Sequence, residues 1–347
     1  MKGLARIVAV AGIVLACACG AQAVDIETVR VGNPGNAGEW SGESYGGYGP
    51  DRICGAVDYT FNIGKYEVTA GQYCEFLNAV GGVDAYGLYS TSMWSSSYGC
   101  KIERYAGGGT VGDPYQYRVA SDWANRPVNY VSYWDSCRFA NWLDNNQPTG
   151  AQGAGTTETG AYTLNGYTGQ DGRTIQRNAG WNWAVTSEDE WYKAAYHKND
   201  PGAPGGNYWD YPTSSDSVPS NDLVVPDPGN NANFYESGYT IGSPYCRTEV
   251  GEFENSDSPY GTFDQGGNVW EWNESIVYEG SDYAYRGLRG GSFYGIDDTL
   301  RASTRSYKYS PTGEFDSIGF RVSEVPEPAT IVMLSLAGVG ILRRRRA

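Results

Sequence analysis

The side chains able to do chemistry in this chain of 347 residues are one histidine, seven cysteines and 40 carboxylates. The single imidazole, His197, excludes zinc or iron sites built from several histidines, and it excludes most catalytic triads. No two cysteines have CxxC spacing, which excludes a zinc ribbon and a thioredoxin-type motif. Because carboxylates are so numerous, a pair suited to glycoside hydrolysis stays open as one alternative.

The charge and the apolar composition exclude further classes of protein. The formal net charge is -15, and the two ends are positive, so residues 24–325 carry -20. A nucleic-acid partner is therefore excluded, because phosphate neutralisation needs a basic surface. The same residues hold 49 Phe, Trp and Tyr but seven Leu, which disfavours a helical bundle and predicts an aromatic core.

The N-terminal segment has the pattern of a secretory signal peptide. Lys2 and Arg6 precede an apolar stretch, and Ala21-Gln22-Ala23 precedes an acidic segment. We predict a signal peptide over residues 1–23, cleaved after Ala23. An N-terminal membrane anchor is the alternative, although the apolar stretch is short for a span.

The C-terminal segment combines a Val-Pro-Glu-Pro turn, an apolar run over 329–342 and four arginines. It resembles the PEP-CTERM sorting tail, which we assign to residues 324–347 with a short transmembrane segment and an Arg block. The resemblance implies an exosortase-type processing enzyme as partner. It also implies transient anchoring in the inner membrane by this tail alone, and then a cell-surface or extracellular location.

Three helices are predicted from capping boxes between these ends. Their first turns begin at Thr69, Ser132 and Ser187, each followed three residues later by an acid or an amide and then by apolar residues at helical spacing. Short strands are predicted over 59–63, 181–185, 268–272 and 319–322, and loops over 146–160 and 200–232.

The cysteines and the histidine carry two structural expectations. Five cysteines remain after signal-peptide removal, and in an oxidising compartment we expect some of them to form disulfides. They are Cys54, Cys74, Cys100, Cys137 and Cys246. His197 ends the third helix, where a cation offsets the helix dipole, and we expect it at the surface.

Six landmarks follow one another in an order that resembles the formylglycine-generating, or sulfatase-modifying-factor, family. They are FNIGKYEVT at 61–69, RPVNYVSYW at 126–134, AVTSEDEW at 184–191, GGNVWEW at 266–272, RGGSF at 289–293 and IGFR at 318–321. The resemblance implies an α+β fold of the C-type-lectin type, rich in coil with few short helices and strands. We assign this domain to residues 57–323, after an N-terminal extension over 24–56.

The activity of that family depends on two copper-binding cysteines shortly after the Gly-Gly-Ser motif. By resemblance, they match Gly295 and a position near Thr299 or Leu300, and residues 290–301 contain no cysteine. Soft Cu(I) needs thiolate ligands, so we expect neither copper nor copper-dependent oxygen activation. A related branch uses an iron site with several histidines, which one histidine cannot form. We assign no catalytic residue.

The same resemblance implies a calcium site at the GGNVWEW segment. Its ligands match the side chains of Asp264 and Glu271 and the carbonyls of Gly267 and Val269, and oxygen ligands suit this hard cation. Alternatively, Glu271 caps a turn and the flanking tryptophans fill the core. Calcium is the one cofactor that we expect.

A ligand groove is implied near Ser292, Arg301 and Arg305, which match groove residues of the family. Alternatively, the two arginines pair with acids such as Asp297 and Asp298. The prediction is a surface-sorted, non-catalytic module that binds a peptide or a glycan. The alternatives are a divergent enzyme of the formylglycine-generating and nonheme-iron superfamily, and a structural component of the extracellular matrix.

Overall fold

A computed structural model describes residues 23–200, 207–306 and 309–325. The predicted signal peptide, apart from Ala23, and the tail beyond Val325 lie outside these residues. The described part contains four α-helices, α1 to α4, which are Ala70–Val80, Ser92–Ser95, Tyr133–Asp144 and Glu188–Tyr196. Its strands β1 to β11 are Thr28–Val31, Glu39–Ser41, Arg52–Cys54, Phe61–Gly64, Ile102–Ala106, Gln116–Val119, Trp183–Val185, Trp270–Glu279, Ala284–Arg289, Ile318–Phe320 and Val322–Glu324.

The three predicted helix starts are confirmed. Thr69, Ser132 and Ser187 each accept a hydrogen bond from the backbone N–H three residues later, and the side chain at that later position returns a bond to the cap. Because a capping box satisfies orphan N–H groups locally, these starts are fixed by a few neighbouring residues.

The first sheet joins both ends of the domain in the order β1-β4-β11-β7, with antiparallel neighbours. Val29 pairs with Ile63 across β1 and β4, and Ser323 of β11 faces Ile63 on one side and Ala184 on the other. Residues 24–56 therefore supply a strand of this sheet and pack as part of the domain.

The second sheet brings three of the sequence landmarks together in the order β10-β8-β9. Glu271 of β8 lies opposite Gly319 of the parallel strand β10 and opposite Arg289 of the antiparallel strand β9. The GGNVWEW, RGGSF and IGFR segments are thus neighbours in space, although up to 50 residues separate Glu271 from Arg321 in sequence.

The core between the sheets and helices is aromatic, as expected from the composition. Phe139 of α3 lies at its centre, with ring-centroid distances of 5.3 Å to Phe76 of α1 and 5.4 Å to Phe320 of β10. All three rings are fully buried. Edge-to-face pairs of this kind add stability beyond the apolar area that they bury.

Buried ion pairs tie the long coil segments to the helices. On α4, the carboxylate of Glu188 accepts hydrogen bonds from Arg52, Arg289 and Arg305 at 2.6–2.9 Å. Burial alone would raise the pKa of Glu188, but the three guanidinium groups hold it well below its usual range. On α3, Arg138 binds Glu158 at 2.7 Å, so the predicted loop over 146–160 is anchored in the interior.

The expected disulfides are absent among the described residues. The five cysteines after the predicted signal peptide are free thiols, and all are buried. Burial raises the pKa of each thiol, to about 11 for Cys54 and about 12 for Cys74 and Cys137. These groups are neutral packing residues, so the expectation from the oxidising compartment was wrong.

Within the described ranges, no helix is both long enough and apolar enough to cross a membrane.

Candidate functional site

The turn after the second sheet places the two positions that match the copper cysteines next to each other. Gly291 and Gly295 both pack against Thr299, whose hydroxyl donates to the carbonyl of Ile296. A Cβ atom added at Gly295 would lie 2.6 Å from Thr299 Oγ1. The backbone geometry therefore brings the positions together, but glycine and threonine stand there, and neither offers a thiolate.

Beside this turn lies a group of rings that we call the aromatic platform, formed by Tyr98, Tyr235, Tyr239, Phe293 and Tyr294. Phe293 is buried at its centre, with ring-centroid distances of 6.0 Å to Tyr98, 6.4 Å to Tyr239 and 4.5 Å to Tyr294. Tyr235, Tyr239 and Tyr294 are 39–46% exposed. The platform thus combines a rigid base with three solvent-facing rings.

Buried polar groups support the platform from below. Arg247 donates to the carbonyls of Tyr98 and Asp316, and Asn129 donates to the same two carbonyls. The Asp316 carboxylate in turn accepts the hydroxyl of Tyr294 at 2.6 Å. Because these bonds fix the backbone under two of the rings, the platform is preorganised.

Sequence reasoning missed this support. Arg247 is fully buried, its Nε and Nη2 have no hydrogen-bond partner, and burial lowers its pKa to about 10. No local pattern marks Arg247, because its partners lie 149 and 69 residues away. Tyr98 and Tyr239 belong to no landmark either; only Phe293 and Tyr294, beside the RGGSF motif, carried a sequence signal.

The three predicted groove residues occupy different environments. Ser292 is fully buried beside the platform, and its hydroxyl has no hydrogen-bond partner. Arg301 is half-exposed, 3.2 Å from Asp298, as in the alternative expectation. Arg305 is buried and binds Glu188 through two nitrogens. In the part of the chain that the structure describes, no hydrogen bond or ion pair joins either arginine to Ser292.

The predicted calcium ligands surround a buried ion pair. Both oxygens of Glu271 accept hydrogen bonds from Arg321, at 2.7 and 2.8 Å, and one also accepts the indole N–H of Trp191. Gly267 has a φ of 86° and Val269 is fully buried. Since the carboxylate of Glu271 is engaged by a guanidinium, it does not fit the role of a principal calcium ligand.

Two other acids lie near this ion pair. Asp264 accepts the backbone N–H of Gly251 at 2.6 Å, and burial raises its pKa to about 6. Glu67 is 1% exposed, and burial, with Asp264 second, raises its pKa well above the usual range. Glu67 stands in the first landmark but carried no expectation. The described residues contain no group of three His, Cys, Asp or Glu side chains arranged to hold a metal.

His197 corrects one expectation from the sequence. It ends α4 as predicted, but its side chain is buried, with Nδ1 2.9 Å from the hydroxyl of Tyr260 and its ring against Tyr208. Burial, with the nearby Lys193 second, lowers its pKa to about 4. It is therefore a neutral packing group at neutral pH.

We predict an acid sensitivity that depends on His197. Its pKa is lower in the folded state than the ordinary value of 6.5, so its contribution is complete above that pH and is lost as the pH falls towards 4. By pH 4.5 the loss should reach about 2–3 kcal/mol. Urea unfolding of the protein and of His197→Gln at pH 7.5, 5.5 and 4.5 measures it. A difference between the two proteins that stays constant with pH would contradict the prediction.

Comparisons with known proteins agree with this architecture. A family model described as the sulfatase-modifying factor enzyme 1-like domain matches residues 55–325, and the PEP-CTERM protein-sorting motif matches residues 324–346. No curated protein matches the chain in sequence. The sorting motif indicates an exported protein that is anchored and sorted through its C-terminus by an exosortase-type system.

Three solved structures are similar to the domain. The crystal structure of CarF has a TM-score of 0.53 at 18% identity and covers 87% of this chain and 99% of its own. Variable protein 1 of Treponema denticola has a TM-score of 0.49 at 17% identity, covering 86% of this chain and 95% of its own. PvdO from Pseudomonas aeruginosa has 0.48 at 18%, covering 86% and 94%.

Identities this low show the fold alone, and the expected α+β, C-type-lectin-like fold is confirmed. The family model matches well over half of the chain and includes all six landmarks. The chain therefore belongs to the sulfatase-modifying factor enzyme 1-like domain family and carries a C-terminal PEP-CTERM sorting motif.

Proposed function

We propose that this protein is an exported, non-catalytic binding module whose aromatic platform takes a neutral glycan at the cell surface or outside the cell. The observation that carries the proposal is the platform itself. Its exposed rings border the turn where Gly295 and Thr299 replace the family's copper ligands. A surface of tyrosines on a fixed base gives a large contact area at a small entropic cost.

The chemistry of the platform favours a glycan over the other ligand classes. Sugar rings present apolar faces to aromatic rings and hydroxyl groups to acceptors, and Asp316 supplies a carboxylate beside Tyr294. The charge of -20 over residues 24–325 opposes an anionic polymer. A peptide is the alternative ligand, and it is one outcome of the experiment below.

Replacing Tyr239 with alanine should weaken glycan binding by roughly 30-fold, because the loss of a central aromatic contact costs about 2 kcal/mol. Array binding followed by calorimetry with the strongest neutral oligosaccharide measures the change. Tyr278→Ala is the matched control, since Tyr278 is 48% exposed in a separate tyrosine cluster on β8 and β9. Equal losses in both variants, or binding of peptides alone, would contradict the proposal.

The enzyme alternative is tested with the same preparation. Incubation with Cu(I), oxygen and a cysteine-containing sulfatase peptide should leave the peptide mass unchanged, because positions 295 and 299 supply no thiolate. An aldehyde product that disappears when a mature cysteine is replaced would favour the divergent-enzyme alternative. Binding of neither ligand class would favour a structural role in the matrix.

A further inference from the structure

The buried ion pair between Glu271 and Arg321 is complete without its neighbours. Arg321 has five N–H groups: two bind the Glu271 carboxylate and three bind the carbonyls of Gly64, Lys65 and Phe263. The side chains of both partners are fully buried. Arg321 therefore has no donor left for another acid.

Two further carboxylates, those of Glu67 and Asp264, share this part of the interior with the ion pair. Their charges act on each other, on Glu271 and on Arg321. Neither carboxylate oxygen of Glu67 accepts a hydrogen bond from another residue, although the side chain is 1% exposed. Asp264 accepts a single bond, from the backbone N–H of Gly251.

The nearest free-standing cation does not compensate these acids. The ammonium group of Lys65 is 2.8 Å from Glu27 and lies over the rings of Tyr66 and Phe263. With Arg321 saturated and Lys65 engaged elsewhere, two carboxylates remain without a positive partner. A buried carboxylate without a donor is among the most costly groups in a protein interior.

We propose that Glu67 and Asp264 together bind a divalent cation of the calcium type, separate from Glu271. Paired carboxylates are the hard oxygen ligands that Ca²⁺ prefers, and backbone carbonyls nearby complete such sites. The proposal moves the expected calcium site away from the ion pair. Asp264 stays a ligand, Glu67 replaces Glu271, and Glu271 acts by holding Arg321.

The experiment compares thermal unfolding of the whole protein in EDTA and in Ca²⁺, with KCl matching the ionic strength. At a hundredfold excess of Ca²⁺ over its dissociation constant, the melting temperature should rise by about 4 °C. Glu67→Gln and Asp264→Asn should each lose this rise. Glu75→Gln, an exposed acid on α1, is the matched control and should keep it. In EDTA, Glu67→Gln should melt no lower than the parent protein, because it removes an uncompensated charge.

Terbium luminescence gives a second measurement that does not depend on unfolding. Tb³⁺ occupies calcium sites, and Tyr66, next to Glu67 in sequence, provides a ring to sensitise it. Emission that is lost in Glu67→Gln and displaced by Ca²⁺ supports the site. Equal melting in EDTA and Ca²⁺ without Tb³⁺ emission would show that the two acids hold protons, and a calcium shift that survives Glu67→Gln would also overturn the proposal.

Discussion

Glu188→Ala is expected to remove most of the stability of the domain. The substitution leaves Arg289 and Arg305 buried without a counter-charge and frees the half-exposed Arg52. Breaking a buried ion pair by removing one partner costs about 3–5 kcal/mol, and total stabilities are about 5–15 kcal/mol. Urea unfolding should show a midpoint lowered by at least the equivalent of about 4 kcal/mol.

The neighbouring acid Asp189 is the control for Glu188. It is 26% exposed and binds one arginine, Arg52, and the backbone N–H of Gly55. Asp189→Ala should cost about 1–2 kcal/mol. Because the pKa of Glu188 is depressed, its contribution is present above the ordinary value and disappears as the pH falls below it. A Glu188→Ala protein as stable as Asp189→Ala would refute the role of this ion-pair centre.

Glu271→Ala should destabilise the protein by about 3–5 kcal/mol, to the same extent in Ca²⁺ and in EDTA. The physical reason is that Arg321 keeps three carbonyl partners but loses its counter-charge, and the indole N–H of Trp191 loses its acceptor. Unfolding in urea in both buffers measures the loss.

The double variant Glu271→Leu with Arg321→Met separates ion pairing from metal binding. Replacing both charged partners by apolar side chains removes the uncompensated charge, so the double variant should be more stable than Glu271→Ala. A loss confined to the Ca²⁺ buffer would instead identify Glu271 as a metal ligand.

Local patterns predicted the helices because their signals lie within four residues. The capping boxes at Thr69, Ser132 and Ser187 and the following apolar stripes fix where each helix begins. The strand β1 had no comparable signal. Its position depends on pairing with β4, more than 30 residues later, and this long-range contact has no local sequence pattern.

The site was less predictable, for the same reason. The Gly-Gly-Ser motif located the turn with Gly295 and Thr299, but the rest of the platform comes from coil segments distant in sequence. Arg305 was expected in a groove, yet Glu188, 117 residues away, holds it in the interior. Residue type alone did not distinguish a ligand-binding arginine from one that neutralises a buried acid.

The position of β11 sets the time at which the domain can fold during export. This strand is the last described element of the domain, yet it lies inside the first sheet, between β4 and β7. Its neighbours cannot pair with each other while its place between them is unfilled. The sheet therefore closes only after residue 324 has emerged, when translocation has almost reached the sorting motif that begins there. Until that moment the chain stays open enough to be threaded, and completion of the fold coincides with arrival of the sorting signal at the membrane.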